Sequence, residues 1–449
     1  MTRMLLSFIL LVALSIMGKL WVTPLSFAQD ALLEASRPDF QRIPIWVRQF
    51  GSGTSNGSTS PRFHEPVVPV LKADLKRSQI FTPVDLPATP GKFAESKCVG
   101  PADENEATSQ GVTVSTWGRV GVGRTDNGGM GLVFDACAHD SGTNEFLLGK
   151  RYFSLKVTDP LVRLMAHRWA DELVYRYTGE PGIARTKIAY VSEEGNGREI
   201  FVMDYDGYGP QQVTADGFLN LMPAWAPDRK SLVYTAYRQR KQQIVQRILA
   251  SGEETVLVQP ASLNITPVFS PNGKQLSYAS AQEGNSDIYT LDLDTKAITQ
   301  ITSHRSADLS PSWSPDGKKI AFTSDRGGRP QIYIMDADGS NSRRLTYQGD
   351  YNAAPTWSPR GDWIAFVCRI SGEGFKLCRI TPDGNRQVQI TSGKSIDDSP
   401  SWSPNGRHIV FSSIRRGKSD IYLINSDGTD LEQLTSEGTH HSSPSWSPL

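Results

Sequence analysis

A seven-residue phrase, Pro-x-Trp-Ser-Pro-Asp-Gly, returns with almost constant spacing through the second half of the chain. Its copies start at Pro223, Pro267, Pro311, Pro355, Pro400 and Pro444, so successive intervals are 44, 44, 44, 45 and 44 residues. A period of this size marks an array of identical supersecondary units. Each unit carries further signals in fixed order. An apolar triplet follows the phrase, as in Ile320-Ala321-Phe322 or Ile364-Ala365-Phe366. A polar turn comes next, then an alternating run such as Gln331-Ile332-Tyr333-Ile334-Met335, then an Asp-Gly turn at Asp338-Gly339. A short strand ending in Thr closes the unit at Val213-Thr214, Ile301-Thr302, Leu345-Thr346, Ile390-Thr391 and Leu434-Thr435. Asp-Gly suits tight hairpins because Gly accepts positive φ. Four short strands per unit predict the blade of a β-propeller with WD40-like repeats. Helical solenoids are excluded because no unit has apolar residues at 3.6-residue spacing.

The two ends of the array do not match, and this sets the expected number of blades. Ile188-Ala189-Tyr190 fits the apolar triplet without a preceding Pro-x-Trp, while the last copy, Pro444 to Pro448, is followed only by Leu449. The economical expectation is that the strand at Ser443–Leu449 completes the blade begun at Lys187, closing six blades over residues 187–449. Closure removes exposed sheet edges. The recurring Trp225, Trp313, Trp357, Trp402 and Trp446, with Phe269 in the same place, are expected to pack between blades.

Upstream of the array the chain has no repeat. Residues 1–28 read as an export signal: Arg3, an apolar run from Leu5 to Met17, and Ser26-Phe27-Ala28 before Gln29. The run is too short to span a bilayer. Residues 29–64 read as a flexible segment with a first strand near Gln41 to Phe50, and residues 65–180 as a small α+β domain. Within that domain a helix is predicted over Val67 to Arg77, and strands near Ile80–Val84, Gly111–Val122, Gly131–Ala136 and Lys150–Val157. A second helix follows, with Asp159 as N-cap, Pro160 at its first position and Gly179 at its end. Val162, Met165, Ala166, Trp169, Leu173 and Tyr177 share one of its faces.

Composition removes several classes of function. Lys+Arg and Asp+Glu both number 47, so the formal charge is zero and no basic nucleic-acid surface is announced. Export permits disulfides. Position in the chain favours Cys98 with Cys137 and Cys368 with Cys378, although free thiols remain open. No Cys spacing suits zinc. His440-His441 is a poor metal site because adjacent strand residues face opposite ways, and no cofactor is expected. Gly53-Thr54-Ser55-Asn56-Gly57 matches the G-x-S-x-G nucleophile elbow, but Ser58-Thr59-Ser60-Pro61 follows where a helix is required.

Three residues before each repeat Pro stand Asn220, Asn264, Asp308, Asn352, Asp397 and His441. Propeller symmetry would place these six in a ring at one mouth. They can be read as turn formers or as a polar rim that hydrogen-bonds a docked protein, with Leu221, Ile265, Leu309, Tyr351, Ile396, Asp398 and His440 adding contact area.

Several features together carry a family resemblance: the repeats, the closing Trp446-Ser447-Pro448-Leu449, the junction from Thr178-Gly179 to Arg185-Thr186-Lys187-Ile188-Ala189-Tyr190, and Asp204-Tyr205-Asp206-Gly207-Tyr208. In these the chain resembles the TolB family of periplasmic propellers over about residues 161–449. The likeness is weaker through 65–160, where Leu71-Lys72-Ala73-Asp74-Leu75 and Phe81-Thr82-Pro83-Val84-Asp85 fit. The resemblance implies a non-enzymatic, monomeric component of the Tol-Pal system. Such a protein binds the peptidoglycan-associated lipoprotein Pal, and through Pal stays peripheral to the outer membrane. It also implies contact with TolA through a peptide within Gln29 to about Pro44, and a role in outer-membrane integrity and constriction at division. The competing expectation is a propeller-based periplasmic hydrolase of peptidase or lactonase type. A peptidase needs a Ser, Asp and His set. A metal hydrolase needs converging carboxylates, and the ring offers only Asp308 and Asp397.

Overall fold

A computed structural model describes residues 41–52, 63–86, 104–124, 129–143, 145–195, 197–261, 263–281, 285–436 and 438–449. The chain divides between Ala184 and Arg185 into two compact units.

The first unit is built on a mixed sheet of β1 (Ile43–Ser52), β2 (Phe81–Val84), β3 (Val114–Arg124), β4 (Met130–Asp140) and β5 (Glu145–Ser154), in the order β2-β1-β3-β4-β5. β1 runs parallel to β2 and β3, while β3, β4 and β5 form an antiparallel meander. Parallel β1 and β2 need a crossover, which helix α1 (Val67–Arg77) supplies. A short helix, α2 (Glu104–Ser109), precedes β3. The long helix α3 (Asp159–Thr178) buries Val162, Met165, Ala166, Trp169 and Leu173 in one core with Leu71, Phe81 and Phe134. Tyr177 joins that face partly buried. The expected N-cap is displaced by one residue: Thr158, extended (φ −146°, ψ 151°), occupies the cap position without a side-chain capping hydrogen bond, and Asp159 falls in the first turn, where its charge suits the helix dipole. Gly179 ends α3 at φ 70°, as a left-handed C-cap requires.

The second unit is a β-propeller domain. Four blades stand as separate four-stranded sheets; one comprises Asp308–Trp313, Lys319–Ser324, Gln331–Asp336 and Arg343–Arg344. The remaining strands form one longer assembly. Within it, two groups meet at a single parallel residue pair, Arg198 with Leu219. The last strand, His441–Trp446, pairs antiparallel with Lys187–Glu194, matching Trp446 to Ile188.

The repeated aromatics are buried, as their packing role requires. Trp357 lies against Ile332, Ile334 and Leu345 of the preceding sheet and Ile364 and Phe366 of its own. Trp402 bridges Leu377 and Ile390 to Ile409 and Phe411 in the same way. Cys368 and Cys378 are disulfide-bonded across neighbouring strands of one hairpin. Cys137 is also disulfide-bonded; the expected pairing with Cys98 involves a residue outside the described ones. The expected export signal, the segment up to Phe40 and the Gly53–Gly57 motif likewise lie outside them.

Candidate partner-binding site

The phrase Pro-x-Trp begins inside a strand, and a proline there has consequences. Proline cannot donate to a ladder and is tolerated only at an edge or a bulge. Each innermost strand breaks register across its Pro, for example between Leu309 and Ser312 and between Ala353 and Thr356. The residue preceding each Pro is left-handed: Met222, Thr266, Ser310, Ala354, Ser399 and Ser443 have φ between 49° and 54°. Residues other than Gly avoid this region, so its return in all six strands shows the fold enforcing it. The bulge re-aims the residues just upstream, and those are the expected contact residues.

The bulge turns six of them inward. Asn220, Asn264, Asp308, Asn352, Asp397 and His441 are all at most 5% exposed. The expected polar rim is therefore corrected: these side chains are turned away from solvent, and Asn220, Asn264, Asn352 and Asp397 meet the preceding blade. For these four the partner stands near the start of the third strand of the preceding blade. Glu199 Oε2 accepts from Asn220 Nδ2 (3.0 Å) and from Thr214 Oγ1 (2.5 Å). Gln331 Oε1 likewise accepts from Asn352 Nδ2 (2.9 Å) and Thr346 Oγ1 (2.7 Å). Asn264 donates from its backbone to Gln242 Oε1 (3.1 Å) and from Nδ2 to the Gln242 carbonyl (3.1 Å). Lys376 Nζ is 3.9 Å from Asp397 Oδ2 and donates to the Ser395 carbonyl. Burial lowers its pKa below the usual lysine value, against the pull of Asp397. Asp308 accepts from Arg326 Nη2 at 2.7 Å. Its latch counterpart Asp287 has a raised pKa, first from burial and further from the Asp308 charge, partly offset by the Thr302 hydroxyl. Asp420 is held by Thr435 and Gln433, and His441 packs edge-on against Tyr190 at 5.4 Å.

The neighbours of the buried six do reach the surface. Ile396 is 46% exposed. Asp398 and His440 are exposed, and Leu221, Ile265, Leu309 and Tyr351 are half-buried. Tyr351 stacks edge-on against Phe375 at 5.1 Å, and burial raises its pKa, with a further push from Asp398. Asp398 itself is raised by desolvation, although its carboxylate accepts from the Ser399 amide. The arrangement offers discontinuous apolar patches beside polar groups on a rigid support. The sequence reading missed the third-strand latch residues. Their signal was present: Glu199 and Asn220, Gln331 and Asn352, and Lys376 and Asp397 are each 21 positions apart.

Fold and repeat together define a Trp-Ser-Pro repeat β-propeller carried behind an α/β unit. The TolB beta propeller domain matches residues 174–449, and the chain belongs to the TolB family. The Tol-Pal system protein TolB of Methylobacillus flagellatus is 32% identical over 217 residues, 48% of this chain and 47% of that protein. That of Desulfosudis oleivorans is 32% identical over 220 residues, 47% of each chain. The match thus spans about half the length of these curated relatives. The crystal structure of TolB from Acinetobacter baumannii aligns with TM-score 0.76 and 28% identity, over 91% of this chain and 97% of that one. These relatives are named as components of a system, not as enzymes. Among the described residues no helix is long and apolar enough to cross a membrane.

Proposed function

We propose that the chain is a periplasmic, non-enzymatic protein-binding component of the Tol-Pal system, exported by residues 1–28. The propeller is read as six-bladed. The four separate sheets make four blades, and the longer assembly contributes two, one of them completed by His441–Trp446 on Lys187–Glu194. The partner is Pal, the peptidoglycan-associated lipoprotein, which keeps the protein peripheral to the outer membrane. TolA is engaged through the segment between Gln29 and about Pro44. The role is maintenance of outer-membrane attachment and its constriction at division.

The observation that carries this reading is the match of residues 174–449 to the TolB propeller, joined to an exposed apolar and polar rim at the blade entrances. Ile396, Leu309, Leu221, Ile265, Tyr351, Asp398 and His440 form the contact surface, and the buried six set its shape. Asp308 and Asp397 are unsuitable for interface mutagenesis because both are fully buried. Ile396→Glu with Leu309→Glu is the better probe. Purified mature chain should capture Pal from envelope extract. The double variant should lose that capture while keeping its circular dichroism spectrum. Failure of the wild type to capture Pal would remove the reading; unchanged capture by the variant would move the interface elsewhere.

A further inference from the structure

The hairpin joining His408–Arg415 to Lys418–Asn425 borders a cavity of about 520 Å³, closed on another side by Lys394 and Ser395. Its wall holds four cations, Lys394, Arg415, Arg416 and Lys418, and one carboxylate, Asp420. Four against one leaves an excess of three positive charges. Asp420 is already engaged, accepting from Thr435 Oγ1 and Gln433 Nε2 at 3.0 Å each. Among the described residues no carboxylate lies within ion-pair distance of Lys394, Arg416 or Lys418. The nearest for Arg415, Asp397 Oδ1, is 3.8 Å away, and Asp397 also faces Lys376 Nζ at 3.9 Å and accepts from Ser395 and Ser413. Lys394, Arg416 and Lys418 are therefore gathered without a carboxylate partner among the described residues, and Arg415 shares Asp397 with Lys376.

The presentation is rigid. Arg415 pairs with Lys418, so the turn between them has two residues, Arg416 at φ 54° and Gly417 at φ 82°. That is the geometry of a type I′ hairpin, which Gly at the second position favours. Arg415 donates to Ser413 Oγ and lies 5.0 Å from the Tyr422 ring centre, so its guanidinium is oriented before any ligand arrives. Concentrated, preorganised positive charge in a concave site attracts an anion. Planar guanidinium groups match a carboxylate, and the resident Asp420 would repel a dianion more strongly than a monoanion.

We propose that this cavity receives a carboxylate side chain from an acidic segment of a protein bound by the propeller, a deepening that rests on the protein-binding reading. A fluorescein-labelled peptide of alternating Glu and Ser, its Gln and Ser counterpart, and inorganic phosphate are the probes, read by fluorescence anisotropy on the mature chain. The acidic peptide should bind and the Gln peptide should not. Arg416→Gln with Lys418→Gln should weaken binding by about tenfold or more, as loss of charge-assisted hydrogen bonds implies. Glutamine suits position 416, because Gln239 holds the equivalent place in another two-residue hairpin at φ 51°. Arg240→Gln with Lys241→Gln on that second hairpin should change affinity less than twofold. Equal loss from both pairs of substitutions would show diffuse surface charge and overturn the proposal. So would displacement by phosphate at matching concentrations, or no binding of the acidic peptide. Pal capture is scored separately. Capture without peptide binding sinks the cavity alone; peptide binding without capture sinks the Pal reading alone.

Discussion

The buried polar residues that join blades follow one rule of chemistry with several solutions. Glu199, Gln242 and Gln331 each face an Asn that donates to them, because an unmatched polar group in that position is costly. Removing one side of a pair should therefore hurt more than the bond itself is worth. Asn352→Ala strips both Gln331 and the Gln348 carbonyl of a donor, and a loss of about 1–3 kcal/mol is expected in urea denaturation. The Asp287–Asp308 pair is the exception, with two acids where other blades use complementary groups. The raised pKa of Asp287 has a definite sign. As pH rises from the ordinary carboxylate value, the unfolded chain loses this proton first. The native state then binds more protons, so stability falls across that window. Asp287→Asn keeps an acceptor for Thr302 and removes the buried charge. The variant should gain stability over wild type as pH increases from mild acid to neutral, seen in urea midpoints measured at each pH. A difference that stayed constant with pH would remove the acid pair as its cause.

At the level of elements, the innermost strand is a bulged strand with proline at its bend. Proline within a strand is a legible warning of a bulge, yet the direction of the re-aimed side chains is not local information. The hairpin Ile364–Ile370 to Gly374–Ile380 shows a different constraint, its disulfide closing a sequence separation of 10 residues. The loop-entropy estimate for such a closure is about 2–3 kcal/mol. Cys368→Ser with Cys378→Ser should lower stability by roughly that amount, read by urea denaturation of the oxidised wild type against the variant. Both sulfurs are buried, so the same treatment with reductant should act slowly on the native protein and fully on the unfolded one.

Across the whole propeller, the last strand matters most, since it joins the two ends of the domain in sequence. Trp446 donates from Nε1 to Thr186 Oγ1 at 2.8 Å, and Lys187 donates its backbone amide to Ser447 Oγ at 3.0 Å, each across 260 residues. Trp446→Ala should cost about 3–5 kcal/mol, the usual range for emptying a buried Trp site. Deleting residues 441–449 should do more, because it also leaves Lys187–Glu194 without its ladder partner and exposes a strand edge. Size-exclusion chromatography of the deletion should show self-association, and calorimetry a broadened, lower transition. A sharp transition at the wild-type midpoint would refute the closing role of this strand.

Residue order alone made legible the four-stranded blade unit, both long helices and the hairpin that carries Cys368 and Cys378, though not the bond between them. Each depends on turn chemistry and periodicity acting within about one repeat. The capping residue of α3 was legible only to within one position, because Thr158 and Asp159 can both serve and backbone geometry chooses between them. Which side of a repeated position matters is settled only when the blades pack. Asn352 reads as a rim residue in one dimension; the bulge and Gln331, supplied by the preceding blade, make it a buried latch. The cationic cavity was equally hidden, since Lys394 and Arg416 are polar turn residues until a sheet brings them to one wall. Burial is a property of neighbours, and those neighbours arrive only when separate repeats pack.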